Sequence, residues 1–157
     1  MQLTTTTIDW RWSLFDDLNL TDLYAILGLR QKVFIVEQRC AYQDIDQLDQ
    51  KAWHLSALRP SNELVGYLRL LPPSITPDNK LTIGRVVVKR AWREQGIGRS
   101  LMQHSVDFCK KHFNGVPIHL SAQLHTQIFY REQGFVAVGK EYDLDGISHI
   151  DMVRQPG

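Results

Sequence analysis

Cysteine is scarce in this chain: Cys40 and Cys109 are its only two thiols. Two cysteines do not make a disulfide framework, which excludes the small cross-linked secreted class and points to a reducing cytoplasm. Long apolar runs are missing as well. No stretch approaches the about eighteen residues that cross a bilayer, and Met1–Thr7 lacks a basic region followed by an apolar one, so neither a membrane span nor a signal peptide is expected. Charge of one sign is also absent. Eighteen basic residues against seventeen acidic ones leave a formal charge of +1, which argues against a general nucleic-acid or polyanion binder. There is no repeat, low-complexity tract or charged tail, so any electrostatic work is local.

What remains is a chain of 157 residues with 43% hydrophobic content, long enough for one core and too short for two ordinary domains. One domain over residues 1–157 is expected, with 1–7 flexible. Ile8–Phe15 alternates Trp10 and Trp12 with polar residues and reads as a strand with one buried face. Asn19 or Thr21 can cap a helix carrying Leu20, Leu23, Tyr24, Ile26, Leu27, Arg30, Val33 and Phe34 on one broad apolar stripe with a single basic member, ending near Val36. Residues 52–58 and 64–71 read as two strands joined by a hairpin. Pro72–Asn79 stops regular structure. Leu81–Val88 is the expected central strand.

The organising stretch follows that strand. Val86-Val87-Val88 runs through a short basic connection into Gly96-Ile97-Gly98, and Leu101, Met102, Ser105, Val106, Cys109 and Phe113 then recur at helical spacing. A helix that opens there leaves its first amides without partners, and two glycines let a ligand approach them. With the positive end of the helix dipole, those amides make a seat for phosphate. Arg85, Lys89, Arg90, Arg93 and Arg99 surround it against one acid, Glu94. The P-loop spacing is absent, and a Rossmann fingerprint fails because Leu101 stands where a third glycine or alanine belongs. The plain alternative is that Gly96 and Gly98 only permit a tight strand-to-helix turn.

Arg93-x-x-Gly96-x-Gly98 after a hydrophobic strand resembles the pyrophosphate loop of the GNAT superfamily of acyl-CoA-dependent N-acyltransferases. Downstream, Phe129-Tyr130-Arg131-Glu132-Gln133-Gly134-Phe135 resembles that superfamily's second signature, a short helix carrying a tyrosine and ended by Gly-Phe. Residues 36–46 and 145–150 are similar to its ElaA-type branch. The resemblance implies an α/β fold: a single GNAT-like domain with a mixed sheet of six to seven strands, splayed at the cofactor site, and helices on both faces. It implies acetyl-CoA as co-substrate, held by Val86, Val87 and Val88 along the pantetheine arm and by Arg93, Glu94, Gln95, Gly96, Ile97, Gly98 and Arg99 around the diphosphate. Gln123, where many relatives have asparagine, would reach the arm. Tyr130 would point its phenol at the thioester sulfur.

The proton acceptor is less clearly marked. A lysine-like amine is mostly protonated at neutral pH, so some group must take a proton from it. Many relatives carry a carboxylate on the central strand, whereas Leu81–Val88 has none and carries Arg85 instead. Glu37, His54 and His149 are the candidates, each equally open to a local structural role. Residues 37–51 are acidic, and Glu37, Asp44, Asp46 and His54 would suit a cationic acceptor; alternatively these acids are solvated or cap helices. Cys109-x-x-His112 lacks a companion pair and makes a poor zinc site, so no metal is expected.

The resemblance therefore implies an N-acetyltransferase acting on a small-molecule or peptide amine, and with the composition the expectation is a cytoplasmic protein without nucleic acid or membrane partners, monomer or homodimer. A catalytically silent CoA-binding module or sensor is the alternative, and a nucleotide-phosphate binder a third.

Overall fold

The structure, a computed structural model, describes residues 6–157. The expected flexibility of the N-terminal segment thus falls, for residues 1–5, outside the described residues. In chain order the elements are β1 (Asp9–Leu14), α1 (Leu20–Arg30), β2 (Trp53–Leu58), β3 (Leu64–Leu71), β4 (Leu81–Val88), α2 (Ile97–His112), β5 (Ile118–Gln123), α3 (Gln127–Glu132), β6 (Val136–Leu144) and β7 (Ile147–Arg154). Asn19 caps α1 by accepting from the Asp22 amide at 2.7 Å, as a short polar side chain does at that position. Past Arg30 the helix continues as a π-helical segment, Gln31–Glu37, a widening that inserts about one residue into the turn.

The strands form one seven-stranded mixed sheet in the order β1-β2-β3-β4-β5-β7-β6. Every pair is antiparallel except β4–β5. That parallel pair is bridged only at Leu81–Ile118 and Thr82–His119, so the two central strands separate beyond Thr82. All of β3 is buried, because the sheet is covered on both faces there. On one face Ile97, Leu101, Met102, Val106 and Cys109 of α2 pack on Leu55, Leu68, Leu70, Leu81 and Ile83. On the other, Ile26 and Leu29 of α1, with Val33 and Phe34, pack on Tyr67 and Val87.

A bulge lets β4 serve both layers. Opposite Tyr67–Arg69 of β3 lie Val87 and Gly84 of β4, one residue more on β4 than on β3, and Arg85 takes the left-handed conformation at φ 54°. An inserted residue reverses the in–out alternation after it. Leu81 and Ile83 therefore join the α2 core, Val87 joins the α1 core, and Val86 and Val88 pack from the α2 side.

Aromatic stacking holds α2 along its length. His104 and Phe108, one turn apart, lie against Trp10 and Trp12 with ring centroids at 4.5 and 4.1 Å, and Trp53 meets Phe108 at 5.1 Å. Near its start α2 presses on β3 at Gly66, where a Cβ would sit 2.9 Å from Ile97 Cγ2 and 3.3 Å from Leu101 Cδ1. In α1, by contrast, a Cβ on Gly28 meets nothing within 4 Å. Gly66→Val is expected to lower the urea unfolding free energy by about 1–3 kcal/mol through overpacking, while Gly28→Ala raises it by about 0.5–1 kcal/mol.

Candidate active site

The connection from β4 to α2 is a one-turn helix at Arg90–Trp92, then Glu94 and Gly96 in left-handed conformation at φ 63° and 83°. The first bond of α2 runs from the Ser100 amide to the Gly96 carbonyl at 3.0 Å. Hence the amides of Gln95, Gly96, Ile97, Gly98 and Arg99 find no main-chain acceptor among the described residues. They gather at the positive end of a sixteen-residue helix, which is what a diphosphate needs. A Cβ on Gly98 would touch the Phe129 ring at 3.5 Å and Val88 at 3.8 Å. Loop, end of β4 and α3 thus converge on one point.

The free edge of β4 faces the same point. The Lys89 amide donates to the Val65 carbonyl at 2.8 Å and Val87 pairs with Tyr67, so the main-chain groups of Val86 and Val88 are directed away from β3, toward the gap before β5. Val87 is turned oppositely, its side chain in the α1 core. The Val88 carbonyl accepts from Arg93 Nε at 3.0 Å.

Tyr130 lies on α3, half-buried, its ring edge-on to Phe129 and Phe135 at 5.0 and 6.2 Å. No side chain or carbonyl among the described residues pairs with its hydroxyl, and burial holds the phenol well above its ordinary pKa. It is therefore a neutral donor. Gln123, at the end of β5, exchanges amide hydrogen bonds with Gln38 at 3.0 and 3.4 Å. His149 is its cross-strand neighbour on β7. Its Nδ1 lies 2.7 Å from the Ile147 carbonyl, which requires the proton on Nδ1 and leaves Nε2 as the basic nitrogen.

The aspartates of the acidic segment are held by arginines. Arg30, fully buried, donates through Nε to Asp44 at 2.9 Å and through Nη1 to Asp49 at 2.7 Å. Arg69 donates to Asp46 and to Asp49 at 2.8 and 3.0 Å. Arg85, held at the bulge, donates to Asp44 at 2.7 Å and to Asp46 at 3.3 Å. The three guanidinium groups and three carboxylates neutralise one another. Sequence reading assigned Asp44 and Asp46 to a cationic acceptor; the fold gives both to arginines, leaving neither carboxylate free for an acceptor. His54 is only 1% exposed, with Nδ1 2.6 Å from the Tyr67 hydroxyl and Nε2 2.9 Å from the Asp49 carbonyl. Both ring nitrogens are used, and burial keeps the ring neutral by lowering its pKa. It stands inside the network, away from any acceptor.

Glu37 ends the π-helical segment and pairs with Arg93 of the loop. That hydrogen bond, with Arg90 and Lys32 nearby, lowers its carboxyl pKa. Arg99 is exposed and 3.9 Å from Glu132. Cys109 is buried, its thiol pushed up to about 12, while Cys40 donates to the Asp145 carbonyl at 3.1 Å. Among the described residues no three His, Cys, Asp or Glu side chains gather as metal ligands do, and no helix is long and apolar enough to cross a membrane. Sequence reading missed Gln38 and the roles of Arg30 and Arg69. Arg30 inside the apolar stripe of the first helix and Arg69 inside the apolar run 64–71 were the available signal.

Comparison with known proteins agrees with this geometry. Residues 23–155 match a family model described as an acetyltransferase (GNAT) domain. The protein ElaA of Escherichia coli K12 is 41% identical over 94% of this chain and 97% of its own, and its crystal structure superposes with a TM-score of 0.87, covering 95% of this chain and all of that one. The crystal structure of an acyl-CoA N-acyltransferase from Pseudomonas aeruginosa is 43% identical, with a TM-score of 0.86, over 93% of this chain and 99% of that one. An aminoglycoside 6'-N-acetyltransferase complexed with coenzyme A shares the fold at 18% identity and a TM-score of 0.68, over 92% and 96% of the chains.

Replacing Arg30 by Met leaves Asp44 to Arg85 and Asp49 to Arg69, three carboxylates against two guanidinium groups in a mostly buried network, and should cost about 3–5 kcal/mol in chemical denaturation. Burial alone would raise the Asp46 carboxyl, but hydrogen bonds from Arg69 outweigh it and bring the pKa down to about 2. Asp49 is lowered in the same sense, Arg30 and Arg69 outweighing its burial. A depressed folded-state pKa means stability present above the unfolded value and lost as protons are taken up below it. Thermal unfolding followed against pH should therefore show the contribution of these carboxylates intact above pH about 4 and falling away toward pH about 2.

Proposed function

This chain belongs to the GNAT acetyltransferase family, and from that premise we propose that it is a cytoplasmic, acetyl-CoA-dependent N-acetyltransferase that transfers the acetyl group directly to an amine. The observation that carries the reading is the parting of β4 from β5 beyond Thr82 beside the unpartnered amides of 95–99. The residues present fit the cofactor: donors and a helix N-terminus for a diphosphate, and an open strand edge for the amides of a pantetheine arm. A thioester supplies an acyl group already activated toward attack by an amine. Main-chain amides from Gln95 to Arg99 hold the diphosphate, with Arg93 beside them. Val86 and Val88 align the arm along β4, and Gln123 closes it from β5.

Tyr130 donates its hydrogen bond where the sulfur leaves. An ordinary phenol, near pKa 10, is a weaker acid than a thiol near 8.5, so complete proton transfer would cost about 2 kcal/mol. Burial raises the phenol further. A retained, shared proton is therefore its role. His149, with its proton fixed on Nδ1 by the Ile147 carbonyl, offers Nε2 to the incoming amine. Glu37 is a poorer base because Arg93 stabilises its charged form. The acceptor enters beside Gln38 and Gln123, between the end of the π-helical segment and β7.

A second reading, a CoA-binding module without turnover, draws on one observation: β4 carries no carboxylate. Release of free thiol from acetyl-CoA in the presence of an amine panel distinguishes the two. Tyr130→Phe should lower kcat by about a hundredfold while the Kd for acetyl-CoA stays the same; equal losses in both would remove the donor assignment. His149→Gln should reduce kcat while leaving the KM for acetyl-CoA unaltered. An unchanged kcat would assign proton acceptance to another group.

A further inference from the structure

The cations at the cofactor loop are largely engaged by the protein itself. Lys89 holds Glu63 at 2.8 Å, Arg85 holds Asp44, Arg93 holds Glu37 and Arg99 approaches Glu132. Among the described residues Arg90 alone of that group lacks a carboxylate partner. The Glu37–Arg93 pair differs from the others in what it joins. Arg93 is fixed by its Nε at the Val88 carbonyl, on the strand edge assigned to the pantetheine arm, and its Nη1 is taken by Glu37. Glu37 sits at the end of the π-helical segment, and the next residue, Gln38, holds Gln123. One guanidinium thus ties the acceptor side to the cofactor side.

A carboxylate and a phosphate offer a guanidinium the same paired-oxygen face. We propose that Glu37 stands on Arg93 in place of a phosphate, as an internal anion that the diphosphate of CoA must displace, so that cofactor arrival releases the end of the first helix at the acceptor entrance. This rests on the reading of 95–99 as the diphosphate seat. Until CoA arrives, Nη1 of Arg93 is occupied and the acceptor-side helix end is tethered; afterwards Glu37 is a free carboxylate beside the incoming amine.

Calorimetric titration with CoA tests this without reference to turnover. Removing the internal competitor in Glu37→Gln should tighten CoA binding by about three- to tenfold, and Arg93→Gln should weaken it. In the double variant Glu37→Gln/Arg93→Gln the tightening should vanish. Glu141→Gln, which neutralises an exposed acid on β6 far from Arg93, should change affinity less than twofold. Both Glu37 and Arg93 are partly exposed, so melting temperatures close to the parent will verify the fold. Unchanged or weaker CoA binding in Glu37→Gln overturns the proposal. Tightening that survives loss of Arg93 overturns it too, since simple charge repulsion would then suffice. If the parent protein does not bind CoA, the diphosphate seat itself fails; if it binds CoA but Arg93→Gln binds it undiminished, or Glu37→Gln does not tighten it, only the displacement fails.

Discussion

The ion network around Arg85 is the constraint on which the rest of the structure depends. A non-glycine residue in left-handed conformation costs about 1–2 kcal/mol, and here the bonds to Asp44 and Asp46 offset it. With Arg85 held, the added residue in β4 persists. With the bulge in place, one strand packs into two cores and turns the main-chain groups of Val86 and Val88 toward the gap beside β5. Remove the pairing and the strand has no reason to keep its extra residue. The acidic loop is thus a brace for the central strand, and its charges are internal to the fold.

Much of this was legible in the chain. Period-two and period-3.6 patterns located the strands and helices, because burial on a sheet or along a helix face imposes those spacings directly. The central place of Leu81–Val88 and the glycine-opened helix after it followed from β-branched residues and from Gly96 and Gly98. Less legible was anything depending on partners far apart in sequence. Charge alone showed that Asp44 and Asp46 are acids; that Arg30 and Arg69 lie opposite them is a property of the folded layers. The bulge left no mark either, since Arg85 is not among the residues that favour a left-handed conformation. For His54 the residue type suggested reactivity, and only burial against Tyr67 reveals a locked ring.

Local charge balance accounts for how a nearly neutral protein carries a strongly basic sequence segment. Around the loop, acids drawn from distant positions, Glu37, Glu63 and Asp44, neutralise the cations pairwise. The unpartnered amides at the head of α2 are then the principal invitation to an anion. They are rigidly held, because α2 is fixed by the stacked rings of Trp10, Trp12 and Trp53 and by its contact at Gly66. A seat of main-chain donors loses little on binding, as its geometry exists beforehand.

The widened turn at Gln31–Glu37 makes residue count a determinant in its own right. Successive residues on a regular helix are offset by about 100°, so a deletion within this segment that restored α-helical winding would swing Glu37 and Gln38 together off Arg93 and Gln123. Two contacts, one to the loop after β4 and one to β5, would be broken by a change that alters no partner's chemistry. Homologous chains should therefore tolerate substitution at 31–36 far more readily than a gap there.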